Sequence, residues 1–164
     1  MRVPKNHFHR IRAFLTDESI RKSLHPTRMA TGATRRHIRT FVAKVPAGFP
    51  SPAEEYLEED VDLNSHLIPA GHEDTTYVIR VEGWSMIGAG IHDGDELIVD
   101  RKFEDPLGKV VVAVHNGAMT IKRLRKRAGK LVLLAENPHY ADRVIAEGDE
   151  FEVWGVVVRV LHVP

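Results

Sequence analysis

The sequence predicts a mostly β fold: a compact domain of short antiparallel strands carried behind a flexible basic arm. Three observations predict it. Short runs rich in valine and isoleucine recur through the second half of the chain, and these side chains fit a pleated, half-buried surface. Turn sequences separate the runs: Asp93-Gly94-Asp95, Asn116-Gly117 and Ala128-Gly129. The charge is also divided. Residues 1–46 carry 11 Lys or Arg against only Asp17 and Glu18, a balance of +9, whereas residues 47–164 carry 12 against 21, a balance of −9. An arm and a body of opposite sign attract each other, or the arm attracts a polyanion.

In the arm, Ile11, Phe14 and Leu15, extended by Ile20 and Leu24, line one face of a short helix that Pro26 stops. Residues 27–40 are polar, basic and glycine-bearing, with no second apolar face. A helix-turn-helix packs two or three helices together, and this segment lacks the residues to pack them. The reading is a flexible arm, residues 1–47, and a β-rich domain, residues 48–164. Ser51-Pro52-Ala53-Glu54 is a capping box with proline at the first helical position, which predicts a short helix through Glu55, Tyr56 and Leu57. Strands follow at 77–81 and 96–100, on either side of the turn at Asp93-Gly94-Asp95. The valine-rich run 109–115 returns through Asn116-Gly117, a type I′ signal, into 118–124. Runs at 131–135 and 151–163 complete the sheet.

At 164 residues and 43% hydrophobic, the chain holds one ordinary domain plus an appendage. No run approaches the roughly 20 apolar residues that span a bilayer, and no apolar signal core follows Met1-Arg2-Val3-Pro4-Lys5-Asn6-His7. A cytoplasmic protein without a membrane contact is expected. The absence of cysteine excludes disulfides, thiolate metal sites and a cysteine nucleophile.

Two short segments carry chemistry. Gly83-Trp84-Ser85-Met86 turns a serine out of a strand, and Thr120-Ile121-Lys122-Arg123-Leu124 places a lysine inside a later one. A serine hydroxyl is a weak nucleophile until a neighbour takes its proton, and a lysine does so when burial keeps it neutral. Strand alternation puts Lys122 on one face with Ala118, Thr120 and Leu124, and Met119, Ile121 and Arg123 on the other. Gly83 permits a tight bend, and the backbone N–H groups of Trp84 and Ser85 are candidates for an oxyanion hole. Other readings of the same residues stand beside this one. A serine before Ile87-Gly88-Ala89-Gly90 also suits a turn or cap, and Lys-Arg-Leu-Arg-Lys-Arg also suits a charged surface or a nucleic-acid patch.

Upstream, Val45-Pro46-Ala47-Gly48-Phe49-Pro50 sets an alanine–glycine bond between two prolines, a candidate for self-cleavage. His7 and His9 form a lone pair in the arm, and His66, His72, His115 and His139 are scattered without metal-ligand spacing. Asp93, Asp95 and Asp100 could suggest calcium, but Asp-Gly-Asp before a strand suits a turn. No metal and no cofactor are expected.

Taken in order, Gly48-Phe49-Pro50-Ser51-Pro52-Ala53, Val61-Asp62-Leu63-Asn64, Gly83-Trp84-Ser85-Met86, Asp93-Gly94-Asp95-Glu96-Leu97-Ile98-Val99-Asp100, Thr120-Ile121-Lys122 and Trp154-Gly155-Val156-Val157 resemble the LexA/UmuD family of self-cleaving serine peptidases. The resemblance runs from about Ala47 to the C-terminus. It implies a β-rich peptidase domain, a catalytic dyad of Ser85 and Lys122, and scission between Ala47 and Gly48. It further implies stimulation by the RecA–single-stranded-DNA filament and a homodimer whose trimmed form joins an error-prone, UmuC-like polymerase. The chain departs from the UmuD pattern at Trp84, where aspartate is common, and in its longer arm. Rival readings are a LexA-like transcriptional repressor, a signal-peptidase-like enzyme, which would need a membrane anchor, and an interaction module with an inert site.

Overall fold

The computed structural model describes residues 27–28, 37–41 and 58–59, as backbone, and residues 60–164. Ten strands are present among them: β1 (Thr27–Arg28), β2 (His37–Phe41), β3 (Glu58–Asp62), β4 (Thr76–Arg80), β5 (Glu96–Asp100), β6 (Val110–His115), β7 (Ala118–Arg127), β8 (Lys130–Leu134), β9 (Arg143–Val144) and β10 (Phe151–Leu161). One short helix, α1 (Leu63–Leu67), follows β3, and the Asp62 carboxylate caps it by accepting from the Asn64 N–H at 3.3 Å. Eight strands form one sheet in the order β1-β4-β5-β10-β6-β7-β8-β9, and β2 pairs with β3 separately. Every pairing is antiparallel, so the mostly antiparallel β class read from the sequence is the observed one.

The central hairpins follow from their turn residues. Asn116 and Gly117, at φ 49° and 77°, occupy the two positive-φ positions of a two-residue turn and set His115 opposite Ala118. Ala128 and Gly129, at φ 46° and 81°, do the same for β7 and β8, pairing Arg127 with Lys130. The basic run after Lys122 therefore continues as strand to Arg127, with Arg125, Lys126 and Arg127 exposed along it.

The long final strand joins the two halves of the sheet, pairing with β5 on one side and β6 on the other. It bends at irregularities between Val157 and Arg159 and between Val153 and Gly155. At Gly155 a side chain would lie 2.6 Å from a Val99 methyl and 3.1 Å from the Asp100 carbonyl, so the close approach of β10 to β5 at this irregularity requires glycine there. Two apolar clusters result. Ile79, Met86, Leu97, Val99, Val112 and Trp154 pack in one, and Val111, Ala113, Leu124, Leu133 and Val156 in the other.

Within residues 1–47, the described segments β1 and β2 pair with β4 (Thr27↔Val78) and β3 (Ile38↔Val61). These pairings are tertiary. A short basic segment shows no apolar periodicity of its own, and its pairing partners lie elsewhere in the chain. β3, α1 and β9 were likewise not read from the sequence. The predicted helices within residues 11–24 and 51–57 and the Ala47–Gly48 bond lie outside the described residues; that bond belongs to the connection between β2 and β3.

Ala128 holds a left-handed backbone that costs an L-residue about 1–2 kcal/mol. Ala128→Asn should therefore stabilise the domain by up to about 1 kcal/mol, raising the urea midpoint without changing the slope. An unchanged or lowered midpoint would contradict this account of the turn.

Candidate active site

Ser85 is presented by a short, heavily anchored loop between β4 and β5. Beyond β4, the Val81 N–H donates to the Asp95 carbonyl at 2.8 Å, and the Gly94 N–H donates back to the Val81 carbonyl at 3.0 Å. Gly83 bends the chain at φ 94°, and its N–H donates to the Asp93 carboxylate at 2.7 Å. Ser85 then stands between the exposed Trp84 and Met86, which is only 2% exposed and anchors the loop in the first apolar cluster. A 3₁₀ turn at Ile87–Ala89 closes on Gly90 in the left-handed conformation. The Gly88 N–H donates to the Glu136 carbonyl at 2.7 Å, and a Cβ at Gly88 would come within 2.6 Å of that oxygen. The glycine-rich run after the serine thus permits close docking on the loop after β8.

Lys122 reaches the serine from β7. Its Nζ lies 2.7 Å from the Ser85 Oγ, 2.9 Å from the Ile121 carbonyl and 3.2 Å from the Thr120 hydroxyl. The residue is 7% exposed. Burial pushes the amine below the ordinary lysine range, and the positive charge of Arg143, on β9, pushes it the same way. In its neutral form the amine keeps two N–H groups for Thr120 and Ile121 and one lone pair for the serine proton. Such a pair can move a proton from hydroxyl to amine, which is what a serine nucleophile needs.

Three further residues shape the site, and the sequence reading passed over the first two. Asn137, 6% exposed, donates its side-chain N–H to the Trp84 carbonyl at 2.7 Å. That carbonyl and the Ser85 N–H belong to one trans peptide, so Asn137 fixes the Ser85 N–H to point away from itself. Glu136 forms an ion pair with Arg123 that holds its carboxylate below the usual range, and Arg123 also donates to the Gly108 carbonyl at 3.0 Å. This pair braces the segment that receives Gly88 and supplies Asn137. An asparagine just after a strand reads locally as a turn residue; only the fold shows it reaching a loop 53 positions away. Beside Ser85, a groove of about 650 Å³ is lined by Ile79, Val81, Met86, Val112, Met119 and Thr120. Arg80, Glu82 and Ser85 also line it, and its size and mixed polar and apolar walls suit an extended peptide segment.

The remaining candidates are dispersed. His72 binds the buried Asp100 at 2.6 Å, and His115 binds Asp149 at 3.0 Å, which with Asn116 holds that carboxylate down to about 2. Asp93, Asp95 and Asp100 do not converge: Asp93 takes Gly83, Asp95 takes His92 and His162, and Asp100 takes His72, Thr75 and Lys102. No helix among the described residues is long and apolar enough to cross a membrane.

The profile of the family described as Peptidase S24-like matches residues 40–158, a span that holds the Ser85 loop, β7 and the groove between them. The chain belongs to this family. It is 35% identical over 133 residues to Protein MucA of Salmonella typhimurium, covering 80% of this chain and 90% of that one. It is 38% identical over 124 residues to Protein SamA of Salmonella typhimurium, covering 74% and 83%. The LexA repressor of Cupriavidus taiwanensis matches at 38% over 122 residues, 74% of this chain but 55% of the repressor. The resemblance drawn from the motifs is therefore correct at the level of the Peptidase S24-like family.

In this S24-like domain the Asn137 amide is the brace most accessible to test. Asn137→Ala should cost about 1 kcal/mol of stability through the lost hydrogen bond to Trp84. Fluorescence of Trp84, exposed on the same peptide, should shift as its loop loosens. Unchanged stability and emission would show that the loop is held without it.

Proposed function

We propose that the chain cleaves its own Ala47–Gly48 bond with Ser85 as nucleophile and Lys122 as general base, and that the trimmed form acts in DNA-damage-induced mutagenesis. The observation that carries the reading is the 2.7 Å approach of the Lys122 amine to the Ser85 hydroxyl at a site where burial favours the neutral amine. Neutral Lys122 takes the hydroxyl proton while Ser85 Oγ attacks the Ala47 carbonyl carbon. The backbone N–H groups of Trp84 and Ser85 receive the oxyanion. The Lys122 ammonium then returns its proton to the Gly48 nitrogen as the C–N bond breaks. Water, deprotonated by the same amine, releases Ala47 from the serine ester. The groove beside Ser85 is where residues flanking Ala47 and Gly48 would lie extended.

The wider role rests on the relatives. MucA and SamA are covered over 90% and 83% of their lengths, the LexA repressor over 55%. That balance favours a UmuD-like mutagenesis protein over a LexA-like repressor. On this reading the chain works in the cytoplasm as a homodimer, is stimulated by the RecA–single-stranded-DNA filament, and after trimming joins an error-prone, UmuC-like polymerase.

Incubation of the purified chain at mildly alkaline pH, or with RecA, ATP and single-stranded DNA, should yield fragments 1–47 and 48–164 by mass spectrometry. A cut elsewhere would overturn the assignment of the bond. Ser85→Ala and Lys122→Ala should each abolish cleavage with circular dichroism unchanged, and the double variant should be no worse, because nucleophile and base act as a unit. Near-normal cleavage in Lys122→Ala would remove the dyad.

Unassisted cleavage should rise with pH, since only the neutral amine accepts the proton. With the Lys122 pKa lowered, the rise should come below the value of about 10.4 at which a free lysine titrates. Arg143→Gln removes a positive neighbour and favours the ammonium form, so it should move the profile toward higher pH and slow cleavage near neutrality. A profile unmoved by Arg143→Gln would assign the whole shift to burial.

A further inference from the structure

We infer that His92, Asp95 and His162 form a binding site for a divalent transition metal of the zinc class, which fastens the end of the last strand to the turn before β5. Strand register creates the cluster. β10 pairs antiparallel with β5, with Leu161 opposite Glu96, so the next residue on one strand, His162, falls beside the preceding residue on the other, Asp95. His92 joins them because the turn from 92 to 95 folds back on itself, the Asp95 N–H donating to the His92 carbonyl at 3.2 Å. One ligand atom from each of the three residues lies within 4.8 Å of the others.

Each donor is arranged for a cation. The Asp95 side chain is 3% exposed, and the His92 N–H holds its Oδ2 at 2.7 Å, which fixes the carboxylate plane. The His162 Nδ1 lies 2.6 Å from Oδ1 of the same carboxylate. Most telling is His92. Its Nδ1 is buried yet has no hydrogen-bond partner, and its approach to Asp95 Oδ2, 3.7 Å, is too long for a hydrogen bond. A buried ring nitrogen left unpaired beside a charged carboxylate and a second imidazole is satisfied by a shared metal ion.

The geometry is within reach. Tetrahedral zinc with ligand bonds of about 2.0–2.1 Å has donors ~3.3 Å apart. The His92–Asp95 separation is already near this, and the two imidazole rings, 41% and 48% exposed and tilted at 48°, are free at the surface to adjust. Two imidazoles and one carboxylate suit zinc, and leave a fourth position for water. Magnesium and calcium, which prefer oxygen donors, do not fit the set.

The site also touches the peptidase loop. The same turn holds Gly83 through Asp93 and Val81 through Asp95 and Gly94, so a metal would tie the C-terminal strand to the root of the Ser85 loop.

Cobalt(II) titrated into the chelator-treated full chain should bind at one ion per chain and give the visible absorption of low-coordinate cobalt, which zinc then displaces. His92→Ala and His162→Ala, both at surface positions, should each weaken binding by about tenfold or more, the loss that even an outer partner of a metal can carry. A paired His7→Ala, His9→Ala variant should bind as the unaltered chain does. Zinc in excess should raise the melting temperature of the unaltered chain by several degrees, and of His162→Ala not at all. Absence of saturable binding, or binding that survives His92→Ala and His162→Ala but not the arm variant, would overturn the site and leave the cluster a His162–Asp95 ion pair.

Discussion

A lysine amine enclosed by protein, with a serine hydroxyl at 2.7 Å, is the constraint around which the rest of this domain is arranged. An ammonium in that position lacks full hydration, so the neutral form gains ground. Everything that keeps water from Lys122 therefore leaves more of it neutral, and able to accept a proton, at lower pH. β7 is flanked by β6 and β8, whose Val111 and Leu133 are fully buried in the same cluster as Leu124. Arg143 adds electrostatic pressure from β9, which pairs only at the outer edge of β8. Packing and charge thus act in the same direction on one amine.

The serine side is held with equal care but by different means. Strand residues set Lys122 through register, whereas Ser85 sits in a loop and needs explicit anchors. Asp93, Asn137, Glu136 and Met86 supply them, three through hydrogen bonds and one through apolar burial. Two of these anchors, Glu136 and Asn137, come from a single connection after β8, braced in turn by Arg123 from β7. The strand that carries the lysine therefore also supports the loop that carries the serine.

The pairing of β10 with β5 brings the C-terminal edge to this machinery. Because β10 runs antiparallel to β5, closely approached at Gly155 and with Leu161 opposite Glu96, the final residues of the chain arrive beside the turn at 92–95 that anchors Gly83. The C-terminal edge, the cluster of His92, Asp95 and His162, and the serine loop are consequently neighbours in space.

The amino-acid pattern by itself determined the antiparallel β class, the turns at Asp93-Gly94-Asp95 and Asn116-Gly117, and the alternation that sets Lys122 apart from Met119 and Ile121; it offered Ser85 and Lys122 as candidates, and the family resemblance joined them. The first three features rest on local causes: period-two alternation and positive-φ residues. The tertiary structure alone decided which distant groups meet. Arg143 beside Lys122, Asn137 on the Trp84 carbonyl, β1 and β2 drawn into pairing, and His162 against Asp95 all depend on strand order and register, which add contacts between segments that carry no local sign of one another. Turns fix register within the hairpins, but between strands distant in the chain it is set by the hydrophobic pattern of whole strands, which no short stretch of sequence reveals.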